Sequence, residues 1–201
     1  MQIKSPKGWN SQPVDAIATW LQGAGFNCVR LTYSMDMALD PDQLVSESFR
    51  AAADFTGLLP EVMAVFGNAV THNPWLATAG TRETFASVIS TLGDHNIMVV
   101  LDNHNSHASW CCSLVDGNGW WDTAVGYNAS NSRYFNTENW LKGLADMANF
   151  STGFIMSSVC PSAMSSALVM LVRTRKIVPT QNGTNTFPLV RLPCMLEIRM
   201  H

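Results

Sequence analysis

Asp102-Asn103-His104 stands directly behind an apolar, β-branched run of Ile97, Val99, Val100 and Leu101. It opens a loop dense in His, Trp, Cys and Gly that continues to Asp122. A short apolar run ending in polar side chains reads as a buried parallel strand that delivers those groups to its C-terminal end. In α/β folds that end is where ligands bind. His104 is therefore a candidate site residue rather than a satisfied core histidine. Asp102 and Asn103 are placed to hold the strand end and its loop, and Asn103 is also counted among the candidate binding residues.

Arg30 is a second anomaly. It lies inside Phe26–Leu31 (FNCVRL), which reads as a short buried strand. Such strands rarely hold an unpaired guanidinium. Either it is a strand-end charge satisfied by carbonyls or a carboxylate, or it projects into a site. Trp110, Trp120 and Trp121 stand in polar, Gly-rich surroundings. Aromatic faces of this kind pack on the apolar faces of sugar rings while a polar rim binds hydroxyls. The same rings would serve equally to cover loops. His104, His107, Cys111 and Cys112 raise the question of zinc. Adjacent cysteines rarely both ligate one tetrahedral ion, and the spacing fits no common pattern, so no metal and no cofactor is expected.

The elements that must position these residues follow from apolar spacing. Pro13 suits a first helical position, Val14, Ile17, Ala18 and Leu21 keep helical spacing, and Gly23 and Gly25 stop the helix. Parallel strands are expected near 26–32 and 97–102. Residues 34–80 form a long connection with a turn at Asp40-Pro41-Asp42 and a helix from Pro60 that Asn73-Pro74 ends. Thr81 caps a further helix with Phe85, Val88, Ile89 and Leu92 on one face and Gly93 near its end. Another helix runs from Thr137 to about Phe150, with Trp140, Leu141, Leu144, Met147 and Ala148 as its apolar stripe. Helix–strand alternation of this kind implies βαβ units and a parallel sheet.

The chain's 201 residues, 47% hydrophobic and 13% charged with net charge −3, can build one sizeable core. Low charge and seven Trp argue against disorder and against a nucleic-acid surface, and suit a neutral ligand such as a sugar. The five cysteines (28, 111, 112, 160, 194) are an odd number, so at least one stays unpaired within the chain. MQIKSPKGWNS has no apolar segment of signal-peptide type. Asn-x-Ser/Thr acceptors occur at Asn128, Asn149 and Asn182. Residues 154–172 carry no charge over about the length of a membrane span, but Pro161 and five serines argue against one, so no membrane partner is expected.

These motifs together resemble glycoside hydrolase family 5, the cellulase family, in particular its fungal and plant branch with paired cysteines. The resemblance rests on Gly25–Ser34 (GFNCVRLTYS), Asp102-Asn103-His104, Trp110-Cys111-Cys112, Asp116–Gly119 (DGNG) and Tyr127–Phe135 (YNASNSRYF). It covers residues 8–150 well and 170–185 in fragments. It implies a (β/α)₈ barrel, and here an α/β fold that is an incomplete barrel with parallel strands, its N-terminal half only. It implies hydrolysis of O-glycosyl bonds in β-linked polysaccharide, a polysaccharide or oligosaccharide partner, and secretion. Arg30 would lie beneath the catalytic carboxylates, and His104 in the subsite where the bond is cleaved. Cys28 would be a disulfide candidate for Cys111 or Cys112.

Retaining enzymes of this kind need two carboxyl groups about 5–5.5 Å apart. In the family both are glutamates, the first ending an L-R-N-E segment. Glutamates stand here at 47, 61, 83, 138 and 197, and none follows Asn. Met170–Arg175 (MLVRTR) followed by Pro179–Asn185 (PTQNGTN) puts Arg175 where the acid/base belongs. The strand for the nucleophile is missing, so no catalytic residue is assigned. The expectation is a truncated or mis-read family member. Residues 1–150 would be the N-terminal part of the barrel and 151–201 a divergent tail, from a frameshift, a retained intron or a decayed gene copy. The alternatives are a catalytically dead carbohydrate-binding remnant and a non-functional product. Open sheet edges would favour non-specific self-association.

Overall fold

The computed structural model describes residues 8–108, 117–118 and 132–154, and the backbone strands 156–159, 170–172 and 196–198. Helix α1 (Val14–Gly23) follows Pro13 at its N-cap and buries Val14, Ile17, Ala18 and Leu21, the positions its spacing requires. Strand β1 (Cys28–Ser34) pairs in parallel with β2 (Met98–Asn105), in register from Cys28 with Met98 to Tyr33 with Asn103. Both strands run further toward their C-terminal ends than expected. Between them, α5 (Thr81–Asp94) buries Phe85, Val88, Ile89 and Leu92. Its N-cap is Gly80 rather than Thr81. The Thr81 hydroxyl instead donates to the Asp40 and Pro41 carbonyls, each at 3.2 Å, which ties the 40–43 turn to the helix start.

Strand periodicity divides β1 and β2 into two faces. Val29, Leu31, Tyr33, Val99 and Leu101 join α1, α5 and α6 (Thr137–Ser151) in one core. Cys28, Arg30, Thr32, Ser34, Val100, Asp102 and His104 take the alternate positions.

The connection from Ser34 to Gly80 is far more helical than its sequence suggested. It holds α2 (Met35–Leu39), α3 (Val45–Thr56), α4 (Leu59–His72) and a 3₁₀ turn at Pro74–Ala77. Helix α3 keeps a helical apolar period at Val45, Phe49 and Ala53 that the reading of this connection did not use. Only Val45 and Ala53 are buried, while Phe55 is 90% exposed. The α3–α4 pair has its own small cluster, in which Phe49 meets Phe66 at 5.2 Å around Val45, Ala69 and Leu76. In α6 the expected stripe is corrected at Leu141, which is exposed. Gly143 takes the contact instead, because α2 approaches so closely that a Cβ there would overlap the Met35 sulfur.

The sheet has five strands in the order β3-β4-β2-β1-β5, with β3 Met156–Val159, β4 Met170–Val172 and β5 Leu196–Ile198. β5 pairs in parallel with β1, placing Glu197 in register with Arg30. The expectation of parallel strands throughout is corrected at β4, which is antiparallel to both β2 and β3. Two antiparallel steps restore direction. So β3 still runs the same way as β2, as a β2–α6–β3 unit requires, and β4 folds back into the gap between them.

Candidate functional site

The site lies at the C-terminal end of β1 and β2, on the face away from the helices. Asp102 is its centre. Its carboxylate is buried, with the side chain 5% exposed, and one oxygen meets two partners. Arg30 Nε lies 3.5 Å from Asp102 Oδ2, and His104 Nδ1 lies 3.4 Å from the same atom. The geometry follows from the strands. Asp102 and His104 are two residues apart and so share a face. Arg30 is in register with Val100, one strand over, and its long side chain reaches forward to Asp102. Arg30 and His104 therefore lie on one end of the sheet, held through a common carboxylate. The Arg30 and His104 side chains keep 32% and 21% of their surface exposed.

Asn103 projects the other way. It is buried, accepts a hydrogen bond from Trp140 Nε1 of α6 at 3.2 Å and donates to the Asn105 carbonyl at 3.3 Å. It holds the strand end against the helix layer and does not share the Arg30–His104 face. Tyr33, its neighbour on that side, is also buried. Burial first, and then the Asp102 carboxylate, push the Tyr33 phenol above its ordinary range.

The loop after β2 is pinned by groups to which no site role was given. Asp36 Oδ1 accepts from the Ser34 hydroxyl and from Met37 N at 2.9 Å, and its Oδ2 accepts from Ala108 N at 2.9 Å. Asn118 Oδ1 accepts from Ser106 N and His107 N at 3.1 and 2.8 Å. Ser34-x-Asp36, a hydroxyl and a carboxylate closely spaced behind a strand, was the available sign. Asn118 was visible only as part of the DGNG motif. His107 stacks on Tyr134 at 4.8 Å and reaches Asp36 Oδ2 at 4.0 Å, apart from the Asp102 cluster. A cavity of about 140 Å³ lies beside this turn, lined by Asp36, His107, Tyr134, Asn139 and Trp140 among others.

Trp110, Cys111, Cys112, Trp120, Trp121 and Arg175 lie outside the described residues. Cys28 is a buried free thiol at the N-terminal end of β1, the end opposite that from which the loop after β2 departs. Burial pushes that thiol up, against a smaller lowering by the Val29 backbone. Among the described residues no group of metal-ligating side chains gathers, and no helix is long and apolar enough to cross a membrane.

No protein-family model matches the chain, and no solved structure matches it. A glycosyl hydrolase 5 family protein from Chamaecyparis obtusa is 34% identical over 146 residues, 72% of this chain. The alignment covers 24% of that protein, so the chain spans about a quarter of the length of the curated relative it matches. The similarity supports a glycoside hydrolase lineage.

Proposed function

We propose that this chain carries part of the (β/α)₈ barrel of a family 5 glycoside hydrolase and binds a β-linked glucan at the C-terminal end of β1 and β2. Residues 1–150 are the barrel part, and 151–201 diverge from it. The relative supports the lineage. The observation that supports the site is the shared carboxylate: Asp102 fixes Arg30 and His104 at one strand end. The Arg30 guanidinium donates to a sugar hydroxyl, while the His104 imidazole, with Nδ1–H toward Asp102, offers Nε2 as an acceptor, and their alignment is established before a ligand arrives. Trp110, Trp120 and Trp121 supply the stacking faces in this reading.

The same site favours binding over turnover. A retaining glycosidase needs two carboxyl groups about 5–5.5 Å apart. Asp102 is the carboxylate that Arg30 and His104 share, and both of those neighbours are nitrogen groups. The sequence places Arg175 where the acid/base belongs, and an Arg donates no proton near neutral pH.

Calorimetric titration with soluble β-glucan oligosaccharides, beside an aryl β-glycoside assay, tests this reading. Saturable binding without turnover is expected. His104→Ala should weaken binding by about tenfold, the loss of one or two hydrogen bonds, with an unchanged circular dichroism spectrum. Arg175→Glu alone should not create turnover, because one carboxylate cannot act as two. Absence of oligosaccharide binding would defeat the site assignment, and family-like turnover by the unmodified chain would defeat the binding-only reading.

A further inference from the structure

Of the three Asn-x-Ser/Thr sequences, Asn149-Phe150-Ser151 falls among the described residues, where it closes α6. Its three members have different surroundings. Asn149 is exposed, and no hydrogen bond engages its side-chain amide among the described residues. Its carbonyl accepts from Thr152 N at 3.1 Å and Thr152 Oγ1 at 2.7 Å, so the helix end is capped without that amide. Phe150 packs edge-on against Phe154 at 5.3 Å and under the Arg82 guanidinium at 5.6 Å. Ser151 is fully buried, and its hydroxyl donates to the Ala148 carbonyl at 2.6 Å.

We propose that Asn149 is an N-glycan acceptor, modified while the chain is extended and before α6 docks on the sheet. The step is a substitution at C1 of a lipid-pyrophosphate-linked oligosaccharide. The Asn149 amide nitrogen forms the C–N bond as the C–O bond to pyrophosphate breaks, and the lipid pyrophosphate leaves with the proton. Recognition needs the Asn149 amide and the Ser151 hydroxyl together. Residues i and i+2 on a helix do not face each other, and here the hydroxyl is also buried, so the folded chain cannot present the pair. Once α6 forms, the glycan stands on its solvent face. It lies near the helix C-terminus, about 14 Å along the helix from Trp140, which meets Asn103. The Arg30–Asp102–His104 face is left open.

The test expresses the full chain behind a cleavable secretory leader in a eukaryotic host, with Asn128→Gln and Asn182→Gln so that one acceptor remains. One amidase-sensitive step in gel mobility is expected in both cell-associated and secreted chain, mapping to Asn149 by peptide mass. It should vanish with Asn149→Gln and with Ser151→Ala, and persist with Ser151→Thr, which keeps the hydroxyl. The unglycosylated chain, purified folded from a bacterial host, should not be modified by oligosaccharyltransferase and lipid-linked donor. Luminal chain that stays unmodified at Asn149 overturns the acceptor assignment, and ready modification of the folded chain overturns its timing.

Discussion

Tyr33→Phe is expected to stabilise the protein. The Tyr33 side chain is 3% exposed in the core beneath α5 and α6, and its hydroxyl has no hydrogen-bond partner among the described residues. The adjoining cavity measures about 10 Å³, the lower limit for a single water. Its lining is apolar at Met37, Phe85, Met147 and Phe150, and the nearby Arg82 already donates through Nη2 to the Ala38 carbonyl at 2.9 Å. A buried hydroxyl without a partner costs about 1–3 kcal/mol. Removing it leaves a void of hydroxyl size, which costs a few tenths at about 24 cal/mol per Å³. The ring contacts persist, so the net gain should be about 1–2 kcal/mol. Urea unfolding followed by tryptophan fluorescence reads this as a higher midpoint at constant slope. The sign of the pH effect follows from the raised phenol. The neutral form is held in the folded state while the unfolded chain ionises near pH 10. The contribution is therefore complete below about pH 10 and is lost as pH rises beyond it, by up to about 1.4 kcal/mol per unit. Cys28, also raised by burial, makes the same kind of loss begin near pH 9. Tyr33→Phe should remove the upper part of the alkaline slope, leaving the Cys28 part. A Phe variant less stable by 1 kcal/mol at neutral pH, with an unchanged alkaline slope, would refute the reasoning.

Two further outcomes are expected. Gly143→Ala gains helix propensity but drives a methyl into the Met35 sulfur, so it should lower stability by about 1–2 kcal/mol. Met35→Ala in the same chain should recover part of that loss in a double-mutant cycle. Asn73 is buried, accepts from Val14 N at 2.9 Å and donates toward the Trp9, Gln12 and Ala69 carbonyls at 3.3–3.5 Å. Asn73→Ala should cost about 1–3 kcal/mol and speed amide exchange first at Val14 and Asp15.

What was legible in the sequence was whatever one local pattern determines. The apolar runs around Val29 and Val99 gave both parallel strands, and from their shared direction came the meeting of Arg30 and His104 at one end. The spacing in α1 and α5 gave their buried faces. Three features were not local. How little of helix α3 is buried is one, although Val45, Phe49 and Ala53 keep a helical period. Gly143 carries a helix contact because of how near α2 comes, a distance no pattern in α6 encodes. The antiparallel entry of β4 depends on chain reversal after residue 159, and Met170-Leu171-Val172 reads the same in either direction. Asn103 was read both as a holder of the strand end and as a binding residue, and its hydrogen bonds fit the first reading. Its amide suits a binding site, but alternation along β2 turns it toward Trp140.

In the proposed reading, Asp102 accounts for binding without turnover at this strand end. A nucleophilic or acid–base carboxylate must present an oxygen to the substrate. Asp102 is nearly fully buried, and its Oδ2 is flanked by both Arg30 Nε and His104 Nδ1. Two partners on one buried oxygen leave that oxygen turned away from a ligand, and the carboxylate orients the two partners instead. In that reading, binding rests on the partially exposed nitrogens, and the carboxylate acts through them. Asp102→Asn should disturb Arg30 and His104 together, because the neutral amide cannot balance the guanidinium, and a buried pair broken on one side costs more than the intact pair contributes. If Arg30 and His104 acted independently, their separate losses in oligosaccharide affinity would add. Coupling through a shared oxygen requires that they do not, and the double variant should bind more tightly than that sum allows.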